Sequence, residues 1–122
     1  PISHTQNQFP VDQWQQWASP VWMDIQQTNT LNVKMAKENK DEKHLCPLQL
    51  DLIERALILW SNPGDVVLSP FMGIGSEGFI SVKLKRKFIG VELKESYWKQ
   101  ACKNIAGVEA QIGSLFDFGD AA

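Results

Sequence analysis

The sequence predicts an α/β fold, and three observations carry that reading. A short apolar run, Val66-Val67-Leu68, leads straight into a glycine-rich turn, Ser69-Pro70-Phe71-Met72-Gly73-Ile74-Gly75-Ser76. A stretch of helical spacing follows. A second apolar run, Phe88-Ile89-Gly90-Val91, then ends on the acidic residue Glu92. Strand, glycine turn, helix and a strand tipped by a carboxylate form the first half of a nucleotide-type binding site. The glycines let the backbone approach a ligand, and the carboxylate can accept hydrogen bonds from ribose hydroxyls.

Taken in order, Pro1 to Leu31 is glutamine-rich yet carries Phe9, Trp14, Trp17 and Trp22. It is too aromatic for a plain disordered tail and too irregular to read as a helix. We expect an arm held down by its tryptophans, which are anchors in the simpler reading and base-stacking platforms in the other. Lys34 to Lys43 reads as a charged linker or exposed helical turn. The expected division is therefore an arm and linker over 1–43 and an α/β body over 44–122.

Pro47 suits the first turn of a helix. Leu52, Ile53, Ala56, Leu57 and Trp60 follow at helical spacing, with Asp51 and Arg55 on another face. Asn62-Pro63-Gly64 ends that helix. Asp65 to Leu68 reads as a short buried strand. A helix is expected from Ser76 to Leu84, packing through Phe79, Ile80 and Leu84. Lys85-Arg86-Lys87 closes it as a solvated, dipole-compensating end, with DNA-backbone contact as the alternative for this cluster and Lys83. Phe88 to Val91 is the second strand. A helix from about Glu95 to Ile105 would bury Trp98, Ala101, Cys102 and Ile105. Gln111 to Ala122 could hold one more strand. Two strands joined through a helix read as parallel. Parallel sheets are normally larger and covered on both faces, so this one looks incomplete. Self-association, or the arm folding over the sheet on Trp14, Trp17 and Trp22, would cover it.

The 122 residues allow one core, and 43% hydrophobic and 21% charged residues are ordinary for a globular chain. A formal net charge of −2 supplies no basic field for nucleic acid. No apolar run is long enough to span a bilayer and no signal-peptide pattern opens the chain, so a cytoplasmic location without membrane contact is expected. The two cysteines, Cys46 and Cys102, read as small buried hydrophobes in a reduced compartment. With His4 and His44 they offer no metal-ligand spacing. A chain that opens on Pro1 and a polar stretch fits a piece of something longer.

Gly73-Ile74-Gly75-Ser76-Glu77-Gly78 matches the dinucleotide pattern G-x-G-x-x-G literally, which keeps a nicotinamide-dinucleotide domain as an alternative. However, Ser69 to Met72 lengthens the turn beyond what a pyrophosphate cradle needs. Room and a partly apolar wall favour S-adenosylmethionine. Phe71 stands open between core packing and contact with such a ligand.

The stretch Leu68 to Ser76 resembles the cofactor motif of amino-group DNA methyltransferases, which methylate adenine N6 or cytosine N4. Phe88 to Leu93, followed by Tyr97, is similar to that family's second motif. His44-Leu45-Cys46-Pro47-Leu48-Gln49 resembles the motif that precedes the cofactor loop in one permuted class, and the serine-containing variant is similar to phage or prophage members. The three motifs cover roughly half of the chain. The resemblance implies a partial Rossmann-like S-adenosylmethionine-dependent methyltransferase fold. It implies cofactor binding by His44, Pro47, Gln49, Ser69, Pro70, Phe71, Gly73, Gly75 and Glu92, and double-stranded DNA as the whole enzyme's substrate. Ser69 departs from the family's aspartate and removes a charge there. The second proline of the upstream motif is also missing.

The family's catalytic tetrapeptide carries Pro-Pro before an aromatic residue, and no Pro-Pro occurs in this sequence. Ser19-Pro20-Val21-Trp22 is a near miss without an apolar strand before it. No catalytic residue is therefore assigned. The expected role is the C-terminal, cofactor-binding part of a site-specific DNA amino-methyltransferase of restriction–modification type. That part is inactive alone and works with a missing catalytic half or by self-association. A non-catalytic prophage remnant is the rival.

Overall fold

The computed structural model describes residues 9–31 and 46–117. His44 and the Lys34 to Lys43 linker lie outside them, as does the end of the chain after Asp117. In order, the elements are α1 (Val11–Trp17), α2 (Leu50–Trp60), β1 (Val66–Ser69), α3 (Ser76–Lys83), β2 (Lys87–Gly90) and α4 (Glu95–Asp117).

β1 and β2 pair in parallel, with Val66 opposite Lys87 and Ser69 opposite Gly90. Bonds beyond the strands extend the ladder: Lys87 N–H donates to the Asp65 carbonyl at 2.8 Å, and Met72 N–H to Val91 at 2.9 Å. Side chains alternate as a strand requires. Ser69 is buried and Val67, Phe88 and Gly90 are half-buried, whereas Val66, Leu68 and Ile89 are more than half exposed. α3 packs against both strands, with α2 and α4 against α3 in turn. The core gathers there, from Ile53, Met72, Ile74, Ile80, Ala101 and Val108.

Several expectations are corrected. The first strand is not buried: its outward residues face solvent because the described helices cover one face of the sheet only. α2 starts at Leu50, after Pro47, with Gln49 as its N-cap. Trp60, at the last turn of α2, is 72% exposed, and Trp98 is half exposed. Cys46 and Cys102 are free and exposed. The extra strand expected from Gln111 is absent over the described residues, because α4 runs unbroken to Asp117. Once a helix is nucleated each further residue adds a bond, while a strand there would need a partner edge.

Arg86 is buried, not solvated. Its guanidinium donates to the carbonyls of Leu84 (2.7 Å) and Ser61 (2.8 Å) and to the Ser61 hydroxyl (3.1 Å). It therefore ties the end of α2 to the start of β2, and burial lowers its pKa. Five-donor guanidinium geometry suits such a cluster of carbonyls; an ammonium would not reach as many.

The arm contains a two-turn helix, α1, and its described residues do not fold over the sheet. It lies against α2. Arg55, on the helix face away from the apolar stripe, is buried there and forms a bidentate pair with Asp24 at 2.9 and 2.7 Å. The guanidinium carbon sits 4.9 Å from the Trp22 ring centre and 5.5 Å from that of Trp17. Asp51, in the first turn of α2, accepts from Gln26 N–H and the Asn29 amide. The charged face of α2 is thus the arm's attachment point.

Candidate functional site

The turn between β1 and α3 is fixed at three successive residues. Gly73 has φ +57, and its N–H donates to Oε2 of Glu92 at 2.8 Å. The carbonyl of buried Ile74 accepts from the Asn104 side-chain amide at 2.9 Å. Gly75 has φ +86, and a Cβ built on it would lie 2.9 Å from Cβ of Ala101. Positive φ at two residues in three makes glycine the low-cost choice at both. They differ in surroundings: Gly75 is pressed on α4, while nothing lies within 4 Å of a Cβ on Gly73. The tight one is structural and the other faces open space.

Gly75 is also the N-cap of α3 and has no side chain to cap it. The first-turn N–H groups therefore have no side-chain partner from the N-cap, although Ser76 and Gly78 of that turn are buried. Gly78, the third glycine of the pattern, serves packing: a Cβ there would collide with Ile105 and Phe88 at 2.6 and 2.7 Å.

Glu92 stands just beyond β2 and is half-buried. Its Oε1 accepts the Lys94 N–H at 2.9 Å. Each carboxylate oxygen keeps a further lone pair, so two hydroxyl donors can still be accepted. Ser69 is buried at the end of β1, where its carbonyl accepts Val91 N–H at 2.9 Å. Pro70 is exposed, and Phe71 is 87% exposed at the lip of the turn, which removes it from the core. Of the expected site residues, the fold brings Ser69, Pro70, Phe71, Gly73, Gly75 and Glu92 together. Pro47 and Gln49 precede α2, and neither hydrogen-bonds to the turn. His44 lies outside the described residues.

Glu77, in the first turn of α3, is half-buried, and burial pushes its carboxyl above the usual carboxylate range. Asn104 and Gln100 escaped sequence reading. Gln100 is buried and donates to Oδ1 of Asn104 at 2.9 Å. Their signal was position: Asn104 falls three residues after Ala101 and four before Val108, a polar residue on an apolar helical stripe.

A cleft of about 700 Å³ lies between the arm and α2, lined among others by Trp14, Pro20, Leu52 and Trp60. No residue of the glycine turn lines it. Trp22, on its wall, stacks on Arg55 and donates its indole N–H to the Trp17 carbonyl at 2.9 Å. Ser19 to Trp22 is thus engaged in holding the arm. Among the described residues no group of three or more His, Cys, Asp or Glu could hold a metal, and no helix is long and apolar enough to cross a membrane.

A DNA methylase family model for N6/N4 enzymes matches residues 1–103. The chain belongs to this DNA methylase family. It is 45% identical over 58 residues to the type II methyltransferase M1.MboII of Moraxella bovis, covering 48% of this chain and 22% of that protein. It is 39% identical over 54 residues to the DNA adenine methyltransferase YhdJ of Escherichia coli K12, covering 44% and 18%. The chain therefore spans about a fifth of the length of these relatives. Among solved structures, TTHA0409 of Thermus thermophilus, crystallised with S-adenosyl-L-methionine, superposes with a TM-score of 0.62 at 27% identity. The match covers 83% of this chain and 35% of that one. The α/β architecture with parallel strands is that of S-adenosylmethionine-dependent DNA methyltransferases.

Proposed function

We propose that this chain is the S-adenosylmethionine-binding part of a DNA amino-methyltransferase acting on adenine N6 or cytosine N4. The observation that carries the reading is the Glu92 carboxylate bonded across the open side of Gly73, at the mouth of the turn. The residues present fit the cofactor: space above Gly73, an exposed ring at Phe71, uncapped N–H groups at α3 and spare acceptor capacity on Glu92. The bound cofactor supplies an activated methyl group. Glu92 would accept the ribose hydroxyls, Gly73 would let the ligand approach the backbone, and the start of α3 would receive its carboxylate. Phe71 offers an apolar wall. Ser69, Pro70 and Gly75 shape the turn, and His44, Pro47 and Gln49 are assigned to the cofactor on the motif alone.

In the whole enzyme the cofactor would supply its methyl group to the target amino nitrogen, leaving S-adenosylhomocysteine and a proton, and the protein would contribute orientation and hydrogen bonds. The acceptor element that binds the flipped base in this family is not assigned to this chain, since it contains no Pro-Pro. Catalysis then requires another part of the enzyme, in the permuted arrangement one that precedes this segment. Double-stranded DNA is the proposed substrate of that assembly. A phage-type origin has only the motif variant in its favour.

Thermal-shift titration with S-adenosylmethionine, S-adenosylhomocysteine and NAD tests the reading. The two sulfur ligands should raise the melting temperature and NAD should not. A response to NAD alone would restore the dinucleotide alternative, and a response to none would favour a non-binding remnant. Labelled cofactor with mixed-sequence DNA should give no methyl transfer by this chain alone. Turnover would bring Ser19 to Trp22 back as the acceptor element.

A further inference from the structure

We propose that Asn104, on α4, is a positioning residue for the cofactor turn, acting through the Ile74 carbonyl without touching the ligand. This rests on the cofactor reading above. Ile74 is 3% exposed, and its carbonyl receives the Asn104 amide at 2.9 Å. A buried carbonyl left without a donor is costly, so the turn sits where Asn104 places it. Gln100, one turn earlier and 8% exposed, donates to Oδ1 of Asn104 and fixes which end of the amide faces Ile74. Ala101 lies between them and abuts Gly75. One face of α4 therefore grips two consecutive residues of the turn, while Glu92 grips the residue before them.

The mechanical consequence is specific. Gly73 has positive φ and open space beside it, so its path is set by the Glu92 bond to its N–H and by the anchors on Ile74 and Gly75. Releasing Ile74 lets the turn rotate between Glu92 and α4. The α3 N–H groups and Glu92 then no longer present one fixed surface to a ligand that spans both. Pre-organisation of that surface lowers the ordering cost of binding.

Asn104→Leu keeps the side chain's size and removes the donor. Hydrogen exchange without ligand should speed up by about tenfold at the amides of residues 73–78, as expected for loss of one buried hydrogen bond. Affinity for S-adenosylhomocysteine, by calorimetry, should fall by about tenfold, with protection in α4 and β1 unchanged. Lys103→Ala, on the exposed side of the same helix, is the control and should change neither. Gln100→Leu leaves Asn104 in place but frees its amide to turn, so it should give a smaller shift in the same direction. It also serves if Asn104→Leu does not fold. Unchanged exchange in the turn, or a uniform rise throughout the protein, overturns the positioning role. Faster exchange in the turn beside a wild-type protein that binds no cofactor sustains the clamp. That result overturns the cofactor reading instead.

Discussion

Oε2 of Glu92 and the backbone N–H of Gly73 meet at 2.8 Å, nineteen residues apart in sequence, at the open side of the turn. On the proposed reading one carboxylate does two jobs: it holds the turn and it would offer its free lone pairs to the cofactor. Glu92→Ala removes both. Loss of charge-assisted hydrogen bonds is worth about 1.5–3 kcal/mol, so cofactor affinity should fall roughly ten- to a hundredfold. Glu92→Gln keeps an acceptor for Gly73 and should lose less. Calorimetry on folded variants checks the order, and equal affinity for both variants and wild type would remove Glu92 from the site.

The glycines divide the same turn into fold and function. Gly75→Ala forces a side chain into φ +86 and against Ala101, so we expect a loss of about 2–4 kcal/mol in unfolding free energy. Gly73→Ala meets open space and bears only the left-handed backbone cost, about 1–2 kcal/mol. Its methyl group, however, projects beside the ligand. Denaturant melts should rank Gly75→Ala as the less stable variant, and ligand titration of folded Gly73→Ala should show the weaker binding.

How far the sequence could be read depended on whether a residue's role was local. Val66 to Glu92 was legible because a strand, a positive-φ turn and a helix start each have their own residue preferences within a few positions. Arg86 was misread as a solvated charge and the burial of Arg55 went unread, because their partners, the Ser61 carbonyl and Asp24, lie 25 and 31 residues away. Nothing in the local pattern separates a buried arginine from a solvated one. β1 was expected to be buried for a related reason, although the sheet as a whole was expected to be incomplete. Apolar strand residues announce that a face is to be covered, not whether the described chain covers it. Asn104 could have been noticed as a polar interruption of the Ala101 to Val108 stripe, but its acceptor is a backbone carbonyl 30 residues earlier.

The arm's attachment should depend on pH. The hydrogen bond from Arg55 lowers the Asp24 pKa below its usual value. A depressed folded pKa contributes stability that is complete above the unfolded value, about 3.9, and is lost as pH falls through the folded one. Limited proteolysis should therefore find the arm resistant at pH 6 and released well below pH 4. Asp24→Ala should release it at pH 6 as well, with cleavage about tenfold faster. Cleavage of wild type and variant at the same rate would mean that the tryptophans hold the arm unaided.

Glu77 should show the opposite sign. Burial raises its folded pKa, so the folded protein binds the proton more tightly than the unfolded chain. The destabilising effect is complete above the folded pKa and disappears as pH falls to the unfolded value, about 4.3. Glu77→Gln should then melt higher than wild type at pH 7, and the two should converge near pH 4. A variant that melts lower at pH 7 would show that the Glu77 charge has a stabilising partner.

The outer face of the sheet carries the last prediction. Leu68 and Ile89 are register partners, 64% and 55% exposed, and Val66 and Val91 flank them at 58% and 49%. The arm does not reach them, because it is fastened to α2 through Arg55. Burying a residue of this size contributes about 1.5–3 kcal/mol, so a patch of four favours association strongly enough to be seen at micromolar concentration. Light scattering of the chain alone should give a mass that rises with concentration toward that of a dimer. Leu68→Thr with Ile89→Thr keeps β-propensity and removes most of the apolar surface, and should restore the monomer mass without changing the melting of the helices. In an enzyme whose sheet is covered on both sides, the helices of the second layer would occupy the same face, and the chain should then no longer self-associate. A wild-type chain that stays monomeric at high concentration would show that exposure of this face is tolerated and that no partner is needed there.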